Sequence, residues 1–507
     1  MELLVVDFSS YGAVVAYSFY SFTVFFSLFS IILYLLRLTK PLCNCDTCRA
    51  YLHSTWASDF PNLCDWYTHL ISNSPTATIH IHVLNNTITA NPDNVEYMVK
   101  TNFDNFPKGK PFRSILGDLL GDGIFNVDGE GWRFQRKMAS LELGSVSIRS
   151  FAFDIIASEI RTRLLPLLAD KTTSGAVMDM QDVFRRFSFD NICRFSFGLD
   201  PGCLEMSLSD SNFAAAFDLA TRLSAQRAMT PSPLVWKIKR AFNLGSEKDL
   251  SEAIKLVNTV AEEVIKQKRS RSRALPPDTQ NDLLSRFMHS VDDDRYLRDI
   301  VVSFMLAGRD TVASVLTAFF HLIMINPHVE KRIRSESDRV LGSSSSEPAT
   351  FEQMREMHYL QASIYETMRL LPPVQFDSKF VLTDDVLPDG TFVSKGTRVT
   401  YHPYAMGRME SIWGPDAMRF RPERWLQSDG VFKPANPFKY PVFHAGPRIC
   451  LGKELAVMTS KSVALALIRR FSFRAAEPGK RAVFAPGLTT TFRGGLPVRI
   501  SERTVPW

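Results

Sequence analysis

Residues 8–36 carry no charged side chain, and phenylalanine, tyrosine, valine, leucine and isoleucine fill most of the run. A bilayer core takes about 20 apolar residues as a helix, so the pattern predicts a single transmembrane helix with some tilt to spare. The run is too long for a signal-peptide core, and no clear small-residue cleavage site follows it. Residues 37–75 are more polar and predict a linker with short helices. Alternation over 78–84 and 87–90, about the turn Asn85-Asn86, is a hairpin signal. A helix is expected over 92–100. Residues 106–129 are apolar but punctuated by glycine and proline, which predicts a loop able to wall a pocket. Helical periodicity follows over 147–198 and 212–267, broken at Pro231 and Pro233, and the basic, serine-rich stretch 266–277 predicts a solvated loop. Residues 293–325 hold the helical period without a proline, roughly 50 Å of helix at 1.5 Å per residue. Helices over 351–371 and 451–471, strands over 379–400 around Pro388-Asp389-Gly390, and a final hairpin turning near 487–491 complete the pattern. The expected fold is mainly α with small β-sheets: a membrane anchor at 1–36, a linker at 37–75 and one large domain over 76–507.

Composition changes this picture little. With 45% hydrophobic and 22% charged residues the chain has an ordinary globular balance, and a net charge of +6 without a basic block excludes nucleic acid as the partner. Glu2 and Asp7 precede the apolar span while Arg37, Lys40 and Arg49 follow it, so the positive-inside bias leaves everything after Arg37 in the cytosol. The sequon at Asn85-Asn-Thr87 is then expected to stay unglycosylated. Seven cysteines, an odd number outside any disulfide framework, fit a reducing compartment. Cys43, Cys45 and Cys48 cluster as C-x-C-x-x-C, but no second Cys/His pair follows at finger spacing, so zinc is not expected there.

The chemistry concentrates in residues 441–454. Cys450 stands in a glycine-bounded loop just before the helix expected from Leu451, and a thiolate gains from the free N–H groups of a helix start. Gly446 and Gly452 would let the backbone approach a flat object, Phe443 would pack against it, and Arg448 would meet its carboxylates. Haem fits that description, with Cys450 as axial thiolate. A lone cysteine is usually a small buried hydrophobe, whereas the whole F-x-x-G-x-R-x-C-x-G pattern is far more specific.

This pattern closely resembles the Cys-loop signature of the cytochrome P-450 family of haem-thiolate monooxygenases. Three further motifs occur in the family's order. Trp132 and Arg136, at i and i+4, match the helix whose indole N–H and guanidinium meet the haem propionates. Ala307, Gly308, Arg309, Asp310 and Thr311 interrupt the long helix with a glycine costing about 1 kcal/mol and an Asp-Thr pair that burial penalises, and a local rule broken in a good helix points to function. Ala307 and Gly308 would open a groove for dioxygen, Thr311 would hydrogen-bond the bound oxygen species, and Asp310 would relay protons. Glu366 and Arg369, with Arg424 from a later Arg-Pro-Glu-Arg-Trp segment, match the family's structural ionic triad, with Trp425 where phenylalanine is commoner.

The resemblance implies the cytochrome P-450 fold, haem b, dioxygen, and electrons from NADPH through NADPH-cytochrome P-450 reductase. It also implies a single-pass protein of the endoplasmic reticulum membrane. Arg133, Lys137, Lys439 and Lys453 would face the reductase. The cysteine cluster, Asp122-Gly-Ile-Phe-Asn126 and Tyr401-His-Pro-Tyr-Ala-Met-Gly407 are similar to one plant clan that oxidises the ω end of fatty acids. One branch of that clan acts on jasmonoyl-isoleucine and its 12-hydroxy derivative, in some members as far as the carboxylic acid. The linker departs from the family, with the cysteine cluster and Pro41 in place of a proline-rich hinge. A pocket for such a substrate would be walled by Ile115, Leu116, Phe125, Val374, Phe376 and Leu488, and its carboxylate would meet Lys108, Lys110 and Arg113 at the mouth. Two other haem-binding classes are the alternatives: haem-thiolate isomerases or dehydratases of lipid hydroperoxides, which typically lack the acid–alcohol pair and distort the Cys loop, and non-catalytic haem sensors. Asp310, Thr311 and the intact loop favour the monooxygenase, and NADPH consumption with reductase separates the three.

Overall fold

The computed structural model describes residues 8–39, 43–205, 212–274, 282–342, 349–479 and 481–503. Glu2, Asp7, Lys40 and Pro41, which entered the charge and linker readings, lie outside these. Helix α1 (Phe8–Thr39) matches the charge-free run. Its central residues stand clear of the protein, with the rings of Phe19 and Phe25 about two-thirds exposed. The described apolar stretch Ala16–Ile31 is 16 residues, shorter than a full span, whereas the helical run Asp294–Ile325 is long and apolar enough to cross a membrane but is 72% buried within the protein. That run is the core helix of the domain.

The linker contains α2 (Asp46–Leu52), a 3-10 turn at Thr55–Ser58 and α3 (Leu63–Ser72). The hairpin forms as β1 (Thr78–Ile81) and β2 (Asn86–Thr89), joined through Asn85 at φ 46, a left-handed conformation asparagine tolerates. Strand β2 pairs in parallel with β4 (Arg398–Tyr401), which pairs antiparallel with β3 (Asp377–Phe380), giving a four-stranded sheet of order β1-β2-β4-β3. Its inner face packs on Cys48, Trp66, Tyr67 and Ile71 as a core separate from that of the helices.

Two sequence expectations are corrected. Residues 106–129 are not one loop: α4 (Gly109–Leu120) forms because Leu116, Leu119 and Leu120 recur at helical spacing and bury together. The basic stretch after residue 266 continues the helix Ser246–Ala274. Lysine and arginine are good helix formers, and Lys268 is buried against Asp282. Residues 275–281 lie outside the described chain.

The site is framed by α5 (Gly129–Gly144), α6 (Met180–Phe197), α7 (Asp294–Met305), α8 (Thr311–Ile325), α9 (His358–Leu370) and α10 (Lys453–Arg470). Helices α7 and α8 are one rod interrupted by a single π-helical turn at Leu306–Asp310.

Candidate active site

The cysteine loop folds as two 3-10 turns, Pro441–Phe443 and Gly446–Arg448, ahead of α10. The Cys450 N–H donates to the Phe443 carbonyl at 2.8 Å, which closes the loop on itself. Burial pushes the Cys450 thiol up from its ordinary pKa, while the Gly452 N–H, Arg136 and Lys453 pull it down. Gly446 has a reason the sequence did not disclose: at φ 65, a Cβ there would stand 2.0 Å from the Val99 carbonyl oxygen. A Cβ on Gly452 would meet only the Cys450 sulfur, at 4.0 Å, so within the protein nothing demands that glycine.

Cys450 lies on the wall of a cavity of about 300 Å³, with the π-turn of the long helix on that wall too. Ala307, Gly308 and Thr311 line it. The Thr311 hydroxyl donates to the Ala307 carbonyl at 2.5 Å. Gly308 admits Ile192 of α6, whose Cδ1 would lie 2.3 Å from an added Cβ, so this glycine serves packing as well as the groove. A π-turn leaves the regular hydrogen-bond ladder and is frequent at functional sites. Asp310 does not line the cavity. Its carboxylate accepts from buried Arg309 at 2.9 Å, and Arg309 also reaches Asp218 at 2.5 Å. Burial pushes the Asp310 pKa up and Arg309 opposes it.

One side of the cavity is cationic. Trp132 and Arg136 of α5 line it; the indole N–H has no protein acceptor among the described residues, and Arg136 no carboxylate partner. Burial lowers the Arg136 pKa, and Cys450 is the negative group that opposes this. Arg448 stacks 4.5 Å over the Trp132 ring and donates to Asp128 at 2.7 Å and the Val127 carbonyl at 2.9 Å. Lys108 and Lys379 share Asp377, the first in a short buried ion pair and the second at 3.1 Å. Burial would raise the Asp377 pKa, but Lys108 and Lys379 hold it well below the carboxylate range. One carboxylate cannot neutralise two ammonium groups, and Lys379 carries the surplus: burial pushes its pKa down to about 7. Tyr401 completes the cluster, donating to Asp377 at 3.2 Å and touching His444.

Below the loop, fully buried Glu366 collects five donors. Arg369 donates twice at 2.7 Å, Arg424 at 2.9 Å, the Arg421 backbone N–H at 2.8 Å and the Trp425 indole at 2.9 Å. Arg369 also reaches the carbonyls of Gly407, Ala417 and Arg419, so the pair ties α9 to the chain ahead of the loop. The uncommon tryptophan is therefore a fourth side-chain or backbone group on the carboxylate. Trp425→Phe is expected to lower the urea midpoint with an unchanged slope, at a cost of about 1.5–3 kcal/mol for one lost hydrogen bond to a charged group.

The structure separates the pocket residues expected from sequence. Phe125 and Val374 line the cavity; Ile115, Leu116, Phe376 and Leu488 do not. Leu116 is buried in the main core, with Ile115 and Leu488 packed against that core, and Phe376 packs beside the His402 ring at a tilt. The reason is that α4 turns its apolar side to the core. Of the expected anchor residues, Lys108 is buried and paired inside the cavity wall, Arg113 is exposed and paired with Asp122, and Lys110 is exposed. Sequence reasoning missed Asp377, Lys379, Tyr401 and His444 as a cluster. A signal existed, since Asp377 and Lys379 stand two apart on one strand and must share a face.

Comparison with known proteins supplies an independent line. A family model for cytochrome P-450 matches residues 73–490. Cytochrome P-450 94C1 of Arabidopsis thaliana is 60% identical over 480 residues, covering 93% of this chain and 96% of the relative. Cytochrome P-450 94B1 of Arabidopsis thaliana is 46% identical over 452 residues (87% and 88%), and cytochrome P-450 94A1 of Vicia sativa is 43% identical over 452 residues (86% of each).

Proposed function

Since the chain belongs to the cytochrome P-450 family, a family of haem-iron monooxygenases fed with electrons by a redox partner, we propose that it oxidises the terminal carbon of a fatty acid or a jasmonoyl–amino-acid conjugate, with oxidation continuing from alcohol to acid. The observation that carries the reading is one cavity that brings Cys450, Thr311 just after the π-turn and an under-compensated cationic wall together.

The donor set fits haem. Lys108, Lys379, Arg136 and Arg448 meet only Asp377 and Asp128, so the basic groups outnumber the carboxylates by two, and a dianion such as a pair of propionates would balance Arg136 and hold Lys379 protonated. A half-buried guanidinium without a counter-ion is costly, and a carboxylate accepting from it and from an indole N–H relieves that cost. Trp132, Arg136, Arg448 and Lys379 would hold those carboxylates and Cys450 would supply a thiolate to the iron. When bound, haem supplies the iron that activates dioxygen.

The remaining chemistry belongs to the chain. Thr311 keeps a hydroxyl proton on the cavity wall, parked on the Ala307 carbonyl, and can deliver it by exchanging that acceptor for one inside the cavity. Asp310, held by Arg309, does not line the cavity, so its part in proton supply is indirect. Phe125, Phe304, Val312 and Val374 are apolar walls. An alkyl chain sheds water there at roughly 0.8 kcal/mol per methylene, which favours entry tail first. Its carboxylate stays outside, where exposed Lys110 is the remaining anchor, since Lys108 and Arg113 are already paired.

The exposed rings of α1 support anchoring in the endoplasmic reticulum membrane, because so apolar a surface is costly in water. Arg133, Lys137 and Lys439 are exposed and support docking of an NADPH-dependent reductase.

The test is turnover of saturated fatty acids and jasmonoyl conjugates by the full-length protein with reductase in lipid vesicles, with products mapped by mass spectrometry. Terminal alcohols and acids formed with NADPH consumption are expected. In-chain products would remove the regiochemistry, and hydroperoxide rearrangement without NADPH would replace the reaction class. Deleting residues 1–36 is expected to release the protein into the carbonate-soluble fraction; retention in the membrane pellet would require another inserted surface. In the same assay Thr311→Ala is expected to bind substrate and consume NADPH while releasing hydrogen peroxide at the expense of product. Unchanged coupling would reduce Thr311 to a helix residue.

A further inference from the structure

The cysteine triplet lies outside the active site, and nothing in the monooxygenase reading uses it. Its three sulfur atoms lie within 4.8 Å of one another. Local geometry explains the convergence. Cys45 is the N-cap of α2, so Cys48, three residues on, returns beneath it after one turn, and Cys43 precedes in non-helical chain on the same side. Backbone N–H groups of Thr47 and Cys48 also approach the Cys45 sulfur.

The three differ in environment in a way that suits a built site. Cys48 is fully buried in the sheet-side core beside Trp66, Tyr67, Ile71 and Val83, so one sulfur is held rigidly. Cys43 is half-buried against that same core and Cys45 is exposed, which leaves an entry path. Sulfur ligands of a tetrahedral zinc ion, at about 2.3 Å from the metal, stand about 3.8 Å apart, so closing the triplet on an ion needs at most about 1 Å of contraction. The absence of a second Cys/His pair at finger spacing excludes a Cys₂His₂ or Cys₄ module but leaves a three-sulfur cluster open.

We propose that Cys43, Cys45 and Cys48 bind one thiophilic d¹⁰ cation, Zn²⁺ or Cu⁺, through three thiolates. Among the described residues no imidazole or carboxylate joins the three, so in a zinc site water takes the fourth position. Thiolates select these soft ions over magnesium and calcium. On binding, each ligating thiol releases its proton to solvent and no electrons are transferred. Because α1 ends at Thr39 and the first ligand stands four positions later, the ion pins the start of the domain to the sheet core.

The experiment uses full-length holoprotein purified under reducing conditions, stripped with a chelator and then offered Zn²⁺ alone or Cu⁺ alone. Metal is counted by mass spectrometry against haem iron, and the thiols are mapped by alkylation. About one equivalent of one of the two ions per chain is expected, with Cys43 and Cys45 alkylated only after stripping, and with tryptic cleavage after Arg49 faster in the stripped protein. Cys45→Ser, at an exposed position, and Cys43→Ser are both expected to lose the metal while keeping the wild-type far-ultraviolet circular dichroism. Sub-stoichiometric binding of both ions to the wild-type chain overturns the proposal. So does prompt alkylation of Cys45 in the loaded protein, or a disulfide between any two of the three cysteines.

Discussion

Replacing Cys450 by serine is expected to abolish both turnover and the thiolate-type Soret band of the reduced carbon-monoxide complex. Serine is nearly isosteric, and the loop-closing bond is made by the backbone N–H of residue 450 to the Phe443 carbonyl, so the loop has no reason to open. What changes is the ligand. A thiol in contact with a metal loses its proton readily; burial pushes the Cys450 thiol up, and the Gly452 N–H, Arg136 and Lys453 oppose that push. A serine hydroxyl does not ionise under these conditions and is a hard, weak donor to iron. The measurement pairs the carbon-monoxide difference spectrum with circular dichroism, so that loss of ligation is told apart from loss of fold. A normal spectrum from a folded Cys450→Ser protein would sink the ligand assignment and with it the proposed chemistry.

Glu366→Gln is expected to prevent accumulation of haem-loaded protein. The side chain keeps its shape, but the charge that balances Arg369 and Arg424 is removed, and one amide nitrogen is set against their donors. Both Glu366 and Arg369 are completely buried. Breaking such a pair by removing one partner costs about 3–5 kcal/mol, because the surviving charge stays uncompensated away from water. Domains are stable by only about 5–15 kcal/mol, so this single change takes a large part of the total. The damage is local to the Arg369 contacts with Gly407, Ala417 and Arg419, which order the chain that leads to the cysteine loop. Haem per chain and the urea midpoint measure it, with Glu410→Gln on an exposed helix as the control. A wild-type midpoint and full haem content in Glu366→Gln would show that the triad is dispensable.

What short spacing can carry is legible in the chain before it folds. Trp132 and Arg136, Glu366 and Arg369, and the glycine-bounded Cys450 loop are local patterns, and a helix of 3.6 residues per turn places i, i+3 and i+4 together whatever the rest of the chain does. The break at Gly308 was legible for the same reason, as a penalty inside an otherwise regular helix. The apolar N-terminal run was likewise readable from composition and length.

Which side chains face the cavity and which charges are spent depend on long-range packing. Arg448 meets Asp128 across 320 positions and Lys108 meets Asp377 across 269, and no periodicity encodes such partners. Lys108 therefore looked like an anchor at the mouth and proves to be part of the wall. Ile115 and Leu116 looked like pocket residues because they are apolar, yet the facing of α4 is set by what packs beneath it. Gly446 was assigned to a flat ligand, while the close approach of the Val99 carbonyl gives it a protein partner. The convergence of Cys43, Cys45 and Cys48 depended on a cap geometry that residue spacing permits but does not require. Local bonding rules act over one or two turns, whereas burial and charge compensation are settled by whichever distant segment arrives, and that is where reading the chain alone stops.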